Sequence, residues 1–214
     1  MRNIRSPVTD SDRNAKVPRI KPLPADATPE LKETMETYRH HLGYVPNSPL
    51  VLARRPKVVK ALAQMASAVW DRESSEVKLG FKRLIAYMVS RHHGCAYSSA
   101  HAADAAHRLG ETDERIAAVV DYKTSALFTE AERAALDFAI AAASQPNAVT
   151  DALLETTRKH WSEAQIVEIA AAVALNGFLN RWNDSMAIPL EPEPIAFGEK
   201  YLKPHGWKQG KHKP

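Results

Sequence analysis

Apolar residues along this chain recur every three to four positions, and no stretch sustains an apolar/polar alternation of β-branched residues. The pattern predicts an all-α helical bundle of about seven to nine helices without strands. In FKRLIAYMVSR, Phe81, Leu84, Ile85, Met88 and Val89 fall at i, i+3, i+4, i+7 and i+8, one face of a helix. That helix delivers His92, His93, Gly94 and Cys95 at its far end. The next, from about Ala96 to Leu109, stops at Gly110 and is rich in alanine, so neighbouring helices can approach it closely. Thr28 followed by Pro29 reads as an N-cap and first helical residue, opening a helix to about His41 that ends at Gly43. LVLARRPKVVKALAQMASAVW carries a short helix, a break at Pro56 and a longer helix to about Trp70. Thr129 with Glu132, and Ser162 with Gln165, are capping boxes; the second opens a helix through IVEIAAAVALNGFLNRW.

The pattern breaks at Pro189. PLEPEPIAFGEKYLKPHGWKQGKHKP predicts an extended or short-helical arm whose Phe197, Tyr201 and Trp207 need a surface to pack on, and a neighbouring subunit is the expected one. The organisation is therefore an extended arm over 1–27, a helical domain over 28–188 and a second arm over 189–214. With 214 residues, 44% of them hydrophobic, the chain can bury a sizeable core. No run approaches the roughly 18 apolar residues of a membrane span. The start, MRNIRSPVTDSDRNAKVPRIK, lacks the apolar segment of a secretory signal. With a single cysteine, no disulfide can form within the chain, and the cytoplasm is the expected compartment. The net charge of +4 is unevenly placed: residues 1–22 and 203–214 contribute +4 each, leaving 23–202 at −4. Basicity confined to the tails reads as solubilising or as an inter-subunit contact, so no nucleic-acid partner is expected.

Candidate chemistry gathers in GCAYSSAH, Gly94 to His101. On a helix, Ser98 lies one turn beyond Cys95 and His101 one turn beyond Ser98, while Cys95 and His101 stand about 120° apart around the axis. Cys95 follows Gly94 at a helix start, where exposed N–H groups and the helix dipole favour a thiolate.

Cys95, Tyr97, Ser98 and His101 resemble the active-site motif Cys-x-Tyr-Cys-x-x-His of the carboxymuconolactone decarboxylase / AhpD-like alkylhydroperoxidase superfamily, in its peroxidase-related branch, with Ser98 in place of the second cysteine. GYVPNSPLVLARRP, GFKRLIAYMVSR and GFLNRWNDSMA are similar to stretches that accompany that motif, and the likeness spans roughly 28 to 200. The resemblance implies an AhpD-like fold and a site in which Cys95 matches the resolving cysteine, Ser98 the peroxide-attacking one and His101 its helper. Arg83 stands near the place of a proton-relaying glutamate of some members. A hydroxyl cannot reduce peroxide as a thiolate does, so the resemblance implies a site without its full dithiol machinery.

The expected catalytic set is thus Cys95, Ser98, His101 and Tyr97, in a thiol-dependent antioxidant or peroxidase-related protein. Its partners would be a small-molecule substrate such as a hydroperoxide and a thiol reductant. It would be a homo-oligomer with no cofactor, no metal and no membrane partner. Acid/base chemistry on a small organic acid or lactone, using His101 with His92 or His93, stays open, as does a non-catalytic ligand-binding oligomer. The competing reading of Cys95 is an ordinary buried small residue, against which its place at a helix start beside His92 and His93 favours a functional thiol. His93, Cys95 and His101, with His92, have the ligand types of a metal site but no strong spacing. Ser98, His101 and Asp104 form a ladder along one helix with no identifiable oxyanion hole, which argues against a hydrolase triad.

Overall fold

The pairing of α4 (Leu79–His92) with α5 (Ala96–Arg108) is the most extensive in the molecule, and it places the cysteine. Three residues connect the two helices, with Gly94 at φ +73°, a left-handed conformation that glycine adopts without strain. Buried Ala100, Ala103 and Ala106 keep the face of α5 thin, so α4 can lie close against it. The computed structural model describes residues 18–214; the first 17 residues of the expected N-terminal arm lie outside the described residues.

Among the described residues there are ten α-helices and no strand. The others are α1 (Lys32–Leu42), α2 (Asn47–Leu52), α3 (Pro56–Val69), α6 (Asp113–Ala118), α7 (Glu130–Ala143), α8 (Asp151–Arg158), α9 (Glu163–Met186) and α10 (Pro192–Phe197). Pro29–Leu31 is a 3-10 turn whose N-cap Thr28 makes no side-chain cap bond, and α1 begins after it and ends at Gly43 with φ +86°. Both capping boxes form, Thr129 with Glu132 and Ser162 with Gln165. No helix among the described residues is long and apolar enough to cross a membrane.

α9 is the spine, touching α3, α4, α5, α7 and α8. Phe81, Leu84, Ile85 and Val89 of α4 are buried as the periodicity requires. Ala86, Tyr87, Ser90 and Lys82 are buried too, because α5, α7 and α9 enclose α4 on several sides. Lys82 is tolerated there because its ammonium donates to the Val69 carbonyl (2.7 Å), Ser75 Oγ (2.9 Å) and Glu168 Oε1 (2.6 Å), which satisfies all three protons.

The C-terminal arm folds back on its own chain. After α10, a π-helical stretch (Gly198–Leu202) and a 3-10 turn (Lys203–His205) lead to Trp207. Phe197, Leu202 and Trp207 are buried in the main core, and Trp207 Nε1 donates to the Ala96 carbonyl at the start of α5. The expectation that the arm's aromatic residues pack on a neighbouring subunit is corrected here: Phe197 and Trp207 are covered within the chain.

Candidate active site

Cys95 is the N-cap of α5, with its side chain fully buried. Its Sγ accepts the Ser98 amide N–H (3.5 Å), one of the donors that a helix start leaves without a backbone partner, and lies 3.3 Å from Ser98 Oγ. Ser98 Oγ in turn accepts from Asn183 Nδ2 (3.1 Å), and Asn183 Oδ1 accepts from Ser48 Oγ (2.6 Å). The hydroxyl beside the thiol is therefore anchored by α9 and α2.

On the other side of Cys95 stands His212, from the end of the C-terminal arm and 1% exposed. Its Nδ1–H donates to the Ile188 carbonyl (2.7 Å), which turns Nε2 inward. Nε2 lies 3.5 Å from Asp184 Oδ1, and the ligand-type atoms of Cys95, Asp184 and His212 all fall within 4.8 Å of one another. Lys211 Nζ bonds the other oxygen of Asp184 (2.7 Å). Burial disfavours charge on His212, but Asp184, Cys95 and the Ile188 carbonyl outweigh it and raise the imidazole to about 9. Asp184 is correspondingly held below its ordinary range, against the effect of burial, by His212 and Lys211.

A second cluster adjoins the first. Glu191, at the N-cap of α10, accepts from Tyr97 OH (2.8 Å) and from the Asn47 amide, and pairs with His101 Nε2 (2.7 Å). Burial pushes the Glu191 carboxyl up, and His101 more than offsets this, so it stays below its ordinary range. Burial and the neighbouring carboxylate drive the Tyr97 hydroxyl well up, so Tyr97 acts as a hydrogen-bond donor. The Tyr97 ring bridges the clusters, 4.4 Å from the His101 ring and 5.8 Å from that of His212.

Of the four residues picked from the sequence, the structure joins Cys95 to Ser98, and Tyr97 to His101 through Glu191. His101 makes no hydrogen bond to Ser98 or Cys95, and its carboxylate is Glu191, since Asp104 is taken by Arg108. His93 binds the Ala143 carbonyl and Asn180, and His92 binds Ser144. Neither joins Cys95, and among the described residues Cys95, Asp184 and His212 form the only close grouping of three metal-type side chains. With Lys211 on Asp184, those three read as a charge-balanced proton-handling set. Arg83 stacks on Trp70 at 3.7 Å, and burial and then Arg108 lower its guanidinium to about 10. Sequence reasoning missed Ser48, Asn183, Asp184, Glu191 and His212. A signal for two of them lay in GFLNRWNDSMA, which holds Asn183 and Asp184 and accompanies the cysteine motif.

Residues 56–141, α3 to most of α7, match the model of the carboxymuconolactone decarboxylase family. YnjA of Escherichia coli K12, an uncharacterized protein, is 28% identical over 155 residues, 72% of this chain and 84% of its own. A cysteine-to-alanine variant of the debrominase Bmp8, solved in complex with 2,3,4-tribromopyrrole, is similar at 28% identity and a TM-score of 0.79, covering 88% of this chain and 98% of that one. The AhpD core of an uncharacterized peroxidase-related protein from Ralstonia eutropha shares the fold at 22% identity and a TM-score of 0.73, over 84% and 96%. With the family model on the cysteine helix and the AhpD core superposing over most of the chain, residues 56–141 match the carboxymuconolactone decarboxylase family and the chain has the AhpD-like fold.

Proposed function

We propose that this protein is a single-thiol reductase in which Cys95 takes an electrophilic atom from a small molecule and an external thiol restores it. The observation that carries the reading is the position of Cys95. It is the N-cap of α5, its sulfur accepts an amide N–H, and an anchored hydroxyl and a buried histidine stand beside it. With a hydroperoxide, the thiolate attacks the terminal oxygen, the O–O bond breaks, and the alkoxide leaves and takes up a proton. Cys95 becomes a sulfenic acid. One external thiol converts it to a mixed disulfide with loss of water, and a second releases the Cys95 thiol and an external disulfide. Ser98 is a hydrogen-bonding neighbour, so the resolving thiol comes from outside the chain, which holds one cysteine.

The likeness to the debrominase favours a second substrate class for the same thiolate. There the sulfur would take bromine from a bromoarene, the ring carbon would gain a proton, and two external thiols would release bromide and a disulfide. Intact-mass measurement after one equivalent of cumene hydroperoxide tests the reading. The expected product is Cys95 carrying one oxygen, with turnover on adding dithiothreitol. Bromide release from a tribromopyrrole in place of that product would select the second class. An unmodified Cys95 with both reagents would remove the proposal.

The protein is further proposed to act as a homo-oligomer. The arm gives no support for this, since its buried aromatic residues pack within the chain. The large apolar side chains left exposed include Val58 and Met65 on α3 and Val167 and Phe178 on α9, two helices that pack together. Sedimentation should show a species heavier than the 23.7 kDa chain, and a monomer alone at micromolar concentration would count against assembly.

A further inference from the structure

We infer that His212, carried by the C-terminal arm and backed by Asp184, is the group that takes the proton of the Cys95 thiol and returns it to the leaving atom. This rests on the reading of Cys95 as the reacting thiol, and deepens it by assigning the base to the arm instead of to His101 on the cysteine helix.

Three observations carry it. His212 is buried and its Nδ1–H is committed to the Ile188 carbonyl, so its remaining nitrogen has one direction to face. That nitrogen has no hydrogen-bond partner of ordinary geometry, and the two groups within its reach are the Cys95 sulfur and Asp184 Oδ1. An unsatisfied buried polar atom is costly, which argues for a role in the site. His101 is by contrast occupied by Glu191 and makes no bond to the thiol or to Ser98.

The charged and titratable groups facing His212 are Cys95 from the start of α5, Asp184 from α9 with Lys211 upon it, and the Tyr97 ring. Asp184 favours the imidazolium, and the imidazolium favours the thiolate. The steps balance. The Sγ proton passes to Nε2, and the thiolate attacks the terminal oxygen of a hydroperoxide. The O–O electron pair leaves with the alkoxide, and Nε2–H protonates it. Cys95 is oxidised to a sulfenic acid, the hydroperoxide is reduced to an alcohol, and His212 ends neutral.

The test is the pH dependence of a single turnover, followed as loss of the free thiol on mixing with cumene hydroperoxide. Wild type should slow as pH rises through about 9, where His212 loses its proton. His212→Gln should lower the rate at neutral pH on the order of 10²-fold, within the usual range for a general acid or base, and should abolish the alkaline fall. Asp184→Asn keeps the imidazole but removes the charge that raises it, so the fall should move down toward the ordinary histidine value of about 6.5. His212→Ala should regain part of the lost rate with free imidazole in the buffer, a rescue that a role in docking the arm would not produce. Circular dichroism checks that each variant folds, and Asp184→Asn serves if the His212 variants do not.

If wild type is inert to hydroperoxide, the ultraviolet absorbance of the thiolate and its reaction with methyl methanethiosulfonate read the same pairing without a substrate. The failure of the peroxidase reading is therefore separable from the failure of this one. A folded His212→Gln with the wild-type rate and pH profile overturns the assignment, as does an Asp184→Asn profile that stays in place.

Discussion

Cys95→Ala is expected to reduce thiol-dependent turnover to the uncatalysed rate, a loss of 10³-fold or more of the order seen when a covalent nucleophile is removed. The fold should survive. The side chain that is lost makes one long hydrogen bond to the Ser98 amide, and replacing an N-cap acceptor by alanine costs roughly 1 kcal/mol. The sulfur's second contact, Ser98 Oγ, remains held by Asn183. The measurement is the rate of hydroperoxide loss with dithiothreitol for wild type and variant at equal, circular-dichroism-matched concentration. Equal rates would mean that Cys95 is a core residue and that the chemistry, if any, lies at the Glu191 cluster.

The second large effect concerns stability. Glu168→Ala is expected to cost about 3 kcal/mol, the lower end of what breaking one side of a buried ion pair removes, because the Lys82 ammonium stays 1% exposed with only Val69 O and Ser75 Oγ to satisfy it. Glu168 also accepts the amides of Glu76 and Val77, so its loss loosens the segment leading into α4. For a chain of this length the melting temperature should fall on the order of 10 °C. The combination Lys82→Met with Glu168→Gln, which removes both charges, should recover most of the loss, whereas Lys82→Met alone leaves an unpaired carboxylate. The pH dependence has a definite sign. Burial raises the Glu168 carboxyl, but Lys82, Ser75 and the Val77 amide more than offset this and hold it below its ordinary value of 4.5. Its contribution is present above that value and is lost as pH falls through the lower folded-state value. Thermal unfolding of wild type and Glu168→Gln across the acid range reads it directly. A Glu168→Ala variant as stable as wild type would show the pair to be neutral.

What the sequence determined alone is what depends on short separations. Helical spacing placed Ser98 one turn from Cys95, and the structure keeps them 3.3 Å apart. The two capping boxes and the glycine ends of α1 and of the α4–α5 connection followed from residues within four positions of one another, because caps and left-handed turns are local backbone chemistry. The cysteine motif with its accompanying stretches was enough for the fold class. The tertiary structure alone decided which groups meet the motif. His101 faces Glu191, ninety positions away, instead of the nearby Asp104, which Arg108 occupies. α4, amphipathic by its pattern, is buried on several faces because α5, α7 and α9 surround it, and that burial creates the need for the Lys82–Glu168 pair. The arm, whose prolines and aromatic residues read as reaching toward another subunit, packs Phe197 and Trp207 into its own core and so brings His212 to Cys95. Apolar burial is non-directional: composition shows that an aromatic residue needs cover, and only the packed molecule shows which surface supplies it.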